Sequence, residues 1–113
     1  MVKKNNYITL IIIIAIIILT YFIIQRDEPT TSEETAKCIG QNSVLYVQLG
    51  CIHCKEQEDM FGNNTKYLNM IDCFYEKEKC LQEKIEATPT WIIKGEKYVG
   101  VQSIKNLQEL TGC

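Results

Sequence analysis

Between Lys4 and Arg26 the chain carries no charged side chain, and from Tyr7 to Ile24 it is almost wholly aliphatic. Helical residues rise about 1.5 Å each, so this run spans roughly 27 Å, close to the hydrocarbon thickness of a bilayer. It is too apolar and too uninterrupted to form one layer of a small soluble core. The 113 residues therefore divide into a cytoplasmic N-terminus at 1–6, a transmembrane anchor at 7–24, a polar tether at 25–34 and a folded domain at 35–113. A cleaved signal peptide has a shorter apolar stretch and a small-x-small site after it. Here Gln25-Arg26-Asp27-Glu28 follows, which reads as an uncleaved anchor. Lys3 and Lys4 precede the span, whereas Arg26 is followed at once by Asp27 and Glu28. That asymmetry favours a cytoplasmic N-terminus and an exported C-terminal domain.

Charge divides along the same line. Lys3, Lys4 and Arg26 give the first 26 residues +3, and the remaining 9 basic and 14 acidic residues leave the rest at −5. No basic stripe is present, which argues against nucleic acid as a partner. About eighty residues are left to fold, a marginal size for an apolar core working alone. Six cysteines in this chain fit a domain stapled by disulfides in an oxidising compartment.

Two of those cysteines carry chemistry. Cys51-Ile52-His53-Cys54 follows an apolar run, Val44 to Leu49, closed by Gly50, and opens a helical stretch that ends at Gly62. Cysteines at this spacing on a strand-to-helix junction place one thiol at a helix N-terminus. There the unpaired backbone N–H groups and the helix dipole favour thiolate. His53, the only histidine, would add to that effect if protonated beside the sulfur. Stabilising the thiolate stabilises the reduced pair and makes its disulfide a better oxidant. The competing readings are an exposed His53 without an electronic role, a structural staple, and a copper- or zinc-delivery site built from Cys51, His53 and Cys54. Zinc usually needs a second close pair, which Cys73 and Cys80 do not supply well.

The remaining pattern gives the order of elements. A short helix is expected over Ser32–Cys38, capped by Ser32, and a strand covered on both faces over Val44–Leu49. A helix follows at Cys51–Phe61, then a turn at Gly62–Thr65 and a strand at Tyr67–Ile71. Glu76–Glu86 reads as a helix with Leu81 and Ile85 on one face. Trp91–Ile93 and Tyr98–Gly100 form a hairpin around Gly95. Ser103 caps a last helix carrying Ile104, Leu107 and Leu110. Strand, helix, strand, helix, hairpin, helix describes an α/β domain whose first two strands pair in parallel across a right-handed crossover. The hairpin completes a mixed four-stranded sheet with helices on both faces. Asn63-Asn64-Thr65 matches a glycosylation sequon on a surface turn, where a turn-forming pair of asparagines is the simpler account.

The domain resembles a thioredoxin fold, and most closely the thioredoxin-like domain attached to homologues of vitamin K epoxide reductase. The residues that carry the resemblance are Gly50-Cys51, His53-Cys54, Gln57, Cys73 with Cys80, and Thr88-Pro89-Thr90-Trp91. Gly95, Tyr98 to Ser103 and Leu110-Thr111-Gly112 complete it. The quinone-linked membrane bundle of that family is absent from the sequence in hand, which has one anchor instead. Gly50 stands where thioredoxins often have Trp, and Leu45 where many keep a buried acid.

The resemblance implies roles. Cys51 is the nucleophile and Cys54 the resolving thiol. Pro89 is cis and faces the pair, leaving backbone groups of Thr88 free to bond an extended substrate. Trp91 reads as a core residue, with a substrate contact as the alternative. Cys73 and Cys80 form a structural disulfide or, alternatively, a second redox pair. Given that fold, Cys38 and Cys113 lie at the end of the sheet away from Cys51, where a bridge between them is allowed; two free thiols or an intermolecular bond are the alternatives. The activity implied is a thiol–disulfide oxidoreductase that oxidises cysteines of exported proteins and is reoxidised by a quinone-linked membrane partner. A reductase or isomerase is the runner-up, and a purely structural docking domain the third reading. The two sulfurs suffice for this chemistry, without cofactor or metal.

Overall fold

The computed structural model describes residues 2–25 and 31–113; half of the expected tether, residues 26–30, lies outside the described residues. Helix α1 runs Val2–Ile24, longer than the apolar run itself. It is long and apolar enough to cross a membrane, by length and composition. Its two threonines are satisfied within the helix: the hydroxyls of Thr9 and Thr20 donate to the carbonyls of Asn5 and Ile16 at 2.9 and 2.7 Å. Such back-bonding suits an apolar solvent that offers no partner of its own.

Thr31 is already packed on the domain, its hydroxyl donating to the Met60 carbonyl at 2.8 Å. Helix α2 covers Glu33–Gln41, with the Ser32 side chain accepting from the Thr35 N–H as its N-cap. Strand β1 is Val44–Val47 and helix α3 is Ile52–Asp59, followed by a 3-10 segment at Gly62–Tyr67. Strand β2 (Met70–Asp72), helix α4 (Lys77–Gln82), strands β3 (Thr90–Ile93) and β4 (Glu96–Val99), and helix α5 (Ile104–Thr111) complete the chain. The sheet order is β2-β1-β3-β4. β1 pairs parallel with β2, while β3 is antiparallel to both β1 and β4. Consecutive residues Leu45, Tyr46 and Val47 are all buried, which requires cover on both faces because strand side chains alternate.

Three local readings are corrected. The turn expected at Gly62–Thr65 is a 3-10 helix that extends to Tyr67, so Tyr67 is not in a strand and β2 begins only at Met70. The helix expected to Glu86 stops at Gln82, and Lys84 turns left-handed with φ 54°. Leu81 is consequently exposed and Ile85 lies beyond the helix, so the two do not form one buried face. Apolar spacing suggested that face, but a six-residue helix is too short to present it.

The core gathers Ala36, Ile39, Leu45, Val47, Cys54, Phe61, Leu68, Trp91, Ile93 and Leu107. Trp91 is fully buried and stacks obliquely on Phe61, ring centroids 6.2 Å apart. Gly40 sets how closely α2 approaches the 3-10 segment. A Cβ there would fall on the Tyr67 carbonyl oxygen and lie 3.0 and 3.1 Å from Tyr67 C and Leu68 Cα, all backbone atoms that cannot step aside. Gly40→Ala gains at most about 1 kcal/mol of helix propensity, against overpacking of about 1–3 kcal/mol or more. A net loss of about 2 kcal/mol is expected, lowering the melting temperature by roughly 8–16 °C for a domain of this size. Unchanged thermal unfolding followed by circular dichroism would show that α2 can shift without cost.

Candidate active site

Gly50 adopts φ 83°, a left-handed turn that a side chain would strain, and it delivers the chain from β1 to the start of α3. The turn is held from the neighbouring strand. Asp72 Oδ1 accepts the N–H of Leu49 at 3.2 Å and that of Phe74 at 2.8 Å, and the Cys73 N–H donates to Val47 O at 2.8 Å. Cys51 is the N-cap of α3, its Sγ accepting the Cys54 N–H at 3.2 Å. A sulfur in that position receives one of the helix's unpaired donors, the arrangement that stabilises a thiolate. Cys51 and Cys54 are joined as a disulfide, Cα atoms 5.2 Å apart. Cys51 is partly exposed, whereas Cys54 is 2% exposed and packs in the core. This asymmetry gives one sulfur to solvent and keeps the other inside.

Thr88 lies across from the pair. Its hydroxyl donates to Cys51 Sγ at 3.5 Å, and its carbonyl oxygen stands 3.6 Å from the same sulfur. In the disulfide the sulfur has no proton, so the carbonyl can accept from Cys51 only after reduction. The Thr88–Pro89 peptide bond is cis and Pro89 is buried.

His53 is placed differently from the neighbour-of-sulfur role considered above. Its side chain is 74% exposed and Nδ1 lies 3.3 Å from Glu56 Oε2, so the ring is turned along the outer face of α3 toward a carboxylate. The residue that ties α3 into the domain is Gln57, fully buried. Its Oε1 accepts from Trp91 Nε1 at 3.0 Å and from the Gln102 N–H at 2.7 Å, while Nε2 donates to Gln102 O at 3.0 Å. Both ends of the amide are thereby committed, which fixes α3 against β3 and the segment leading to α5.

A cavity of about 870 Å³ adjoins the pair, lined by Leu49, Ile52, Cys51, Cys54, Glu58 and Asp72 among others. Burial pushes the Glu58 carboxyl above the ordinary carboxylate range; Lys55 counteracts this, and Asp59 and Asp72 add to it. Glu58 and Asp72 escaped the sequence reading. Glu58 falls four residues after Cys54, a signal legible once the helix was placed.

Two more disulfides are present. Cys73–Cys80 links the end of β2 to α4, and Cys38–Cys113 links α2 to the residue after Gly112, the left-handed C-cap of α5. Among the described residues no group of three or more His, Cys, Asp or Glu side chains is arranged to hold a metal ion.

The domain has a thioredoxin-like fold. Its strand order, its parallel β1–β2 and antiparallel β3–β4 pairs, and the cysteine pair at the head of the helix after β1 decide this. No protein-family model matches the chain. Over 77 residues it is 38% identical to thiol-disulfide oxidoreductase LTO1 of Arabidopsis thaliana, covering 60% of this chain. The chain spans only 20% of the length of that relative. Among solved structures it is similar to the N-terminal domain of alkylhydroperoxide reductase AhpF from Enterococcus faecalis, with a TM-score of 0.49 and 20% identity over 74% of this chain and 45% of that one. It is also similar to oxidised thioredoxin from Plasmodium falciparum, with a TM-score of 0.48 and 20% identity over 73% of this chain and 90% of that one.

Proposed function

We propose that this chain is a membrane-anchored thiol–disulfide oxidoreductase, with α1 as its anchor, its N-terminus in the cytoplasm and its folded domain outside. The observation that carries the reading is the Cys51–Cys54 disulfide itself. One sulfur is held at a helix N-terminus and open to solvent, and the other is buried one turn in. A thiolate of an exported protein attacks Cys51 Sγ, forming a mixed disulfide and releasing Cys54. A second substrate thiol then displaces Cys51, leaving the substrate oxidised and the pair reduced. Thr88, whose hydroxyl and carbonyl already border Cys51, supplies polar contacts on the substrate side. A quinone-linked membrane oxidoreductase takes the electrons onward. The name of the Arabidopsis relative supports the reaction class, and the basic residues Lys3 and Lys4 ahead of the apolar run support the orientation.

A redox titration of the full-length protein in detergent tests the direction. The Cys51–Cys54 couple is expected between about −120 and −200 mV, the range of oxidases and isomerases. A potential near about −270 mV, that of cytosolic thioredoxin, would overturn the oxidase reading in favour of a reductase. In intact cells a membrane-impermeant maleimide should reach Cys51 once the pair is reduced; protection from it until lysis would overturn the orientation.

A further inference from the structure

Each exchange through the pair generates or consumes a negative charge on Cys54 Sγ. That sulfur is buried, and Leu45, which occupies the place of the acid kept by many thioredoxins, is fully buried in the same core. A thiolate left in such surroundings is costly unless a proton arrives with it. One carboxyl group is placed to bring it. Glu58 follows Cys54 by four residues within α3, so their Cβ atoms stand roughly 5–6 Å apart on one face of the helix. The two residues line the same cavity, which also admits solvent. The charged groups around that cavity are Lys55, Glu56 and Asp59 from α3 and Asp72 from β2. Lys55 is paired with Asp59 and Glu56 with His53, while Asp72 is engaged by two backbone N–H groups. Among the described residues Glu58 is the carboxyl of this cavity left without such a partner, and its raised pKa lets it hold a proton closer to neutral pH than an ordinary glutamate does.

We propose that Glu58 carries the proton to and from Cys54 during disulfide exchange. The inference rests on the redox reading given above. When a substrate thiolate forms its bond to Cys51 Sγ, the Cys51–Cys54 bond breaks and its electron pair stays on Cys54 Sγ. Glu58 delivers a proton to that sulfur and is reprotonated from solvent, which has received the proton of the substrate thiol. In the reverse sense Glu58 accepts the Cys54 proton, and the thiolate closes the disulfide onto Cys51 while the partner leaves as thiolate.

The test follows ring closure in the full-length protein reduced at this pair and mixed with one equivalent of an aromatic disulfide whose released thiol is coloured. Attack by Cys51 releases the first coloured thiol, and closure by Cys54 releases the second. Glu58→Gln is expected to slow the second phase roughly tenfold to a hundredfold near neutral pH and below, while the first phase stays unchanged. Glu58→Asp should recover part of the rate. If Glu58 acted only through its charge, removing that charge would ease ionisation of Cys54, and Glu58→Gln would close faster. A second phase that is unchanged or faster, or one slowed in step with the first, therefore overturns the proposal and leaves the redox reading standing. A wild-type protein that never releases the second thiol overturns both.

Discussion

Replacing Cys51 by serine is expected to abolish dithiol oxidation, a loss on the order of a thousandfold or more, because a hydroxyl cannot form or exchange a disulfide. Replacing Cys54 gives a different failure. The partly exposed Cys51 keeps its helix N-terminus and its Thr88 neighbour, so the first exchange still proceeds, but the thiol that would release the partner is gone. Cys54→Ser in cells should accumulate mixed disulfides through Cys51, visible as higher-mass bands on non-reducing gels that collapse on reduction. The captured chains would include both substrate and reoxidant. Equal loss in both variants with no trapped adduct would contradict the assignment of Cys51 as the attacking sulfur. Since Cys54 is buried and joins the core cluster, thermal melts of both variants should accompany the assay. A small volume change from sulfur to oxygen should leave the fold intact.

The second large effect concerns stability. Cys38 and Cys113 are separated by 75 residues, and the chain-entropy model assigns a bridge of that span about 4–5 kcal/mol. The Cys73–Cys80 bridge has a separation of 7, for which the same model gives about 2–3 kcal/mol. A domain of about eighty residues has a total stability of roughly 4–12 kcal/mol. Loss of the long bridge should therefore leave the domain close to its unfolding threshold. Urea titration of Cys38→Ser/Cys113→Ser should show a much lower midpoint than Cys73→Ser/Cys80→Ser. A reversed order would mean that the terminal bridge joins parts already close together in the unfolded chain.

Much of the architecture was legible because it depends on patterns local in the sequence. The apolar run Val44–Leu49, whose first four residues form β1, the Gly50 turn, the hairpin around Gly95 and the caps Ser32 and Ser103 each announce themselves within a few residues. The cysteine pair was legible for the same reason, since its chemistry follows from sitting between a strand and a helix. What escaped depends on contacts distant in sequence. Gly40 matters only because Tyr67 passes over it, and Asp72 only because β2 lies beside the Leu49 turn. Gln57 was singled out by resemblance, but its bonds to Trp91 and Gln102 appear only when three elements meet. His53 shows the converse. Its place between the cysteines suggested a partner for sulfur, yet on a helix the side chain points to the outer face, toward Glu56.

The two margins of the sheet also bear on how such a molecule survives its surroundings. β2 has three residues, and β4 sets Glu96 and Lys97 in the open. A brief margin and a charged one give little template for another chain to stack against, the means by which natural sheets avoid fibril-like growth. If the proposed function holds, a catalyst that meets unfinished, adhesive polypeptides would touch them through sulfur and let go, without becoming the seed of their aggregation.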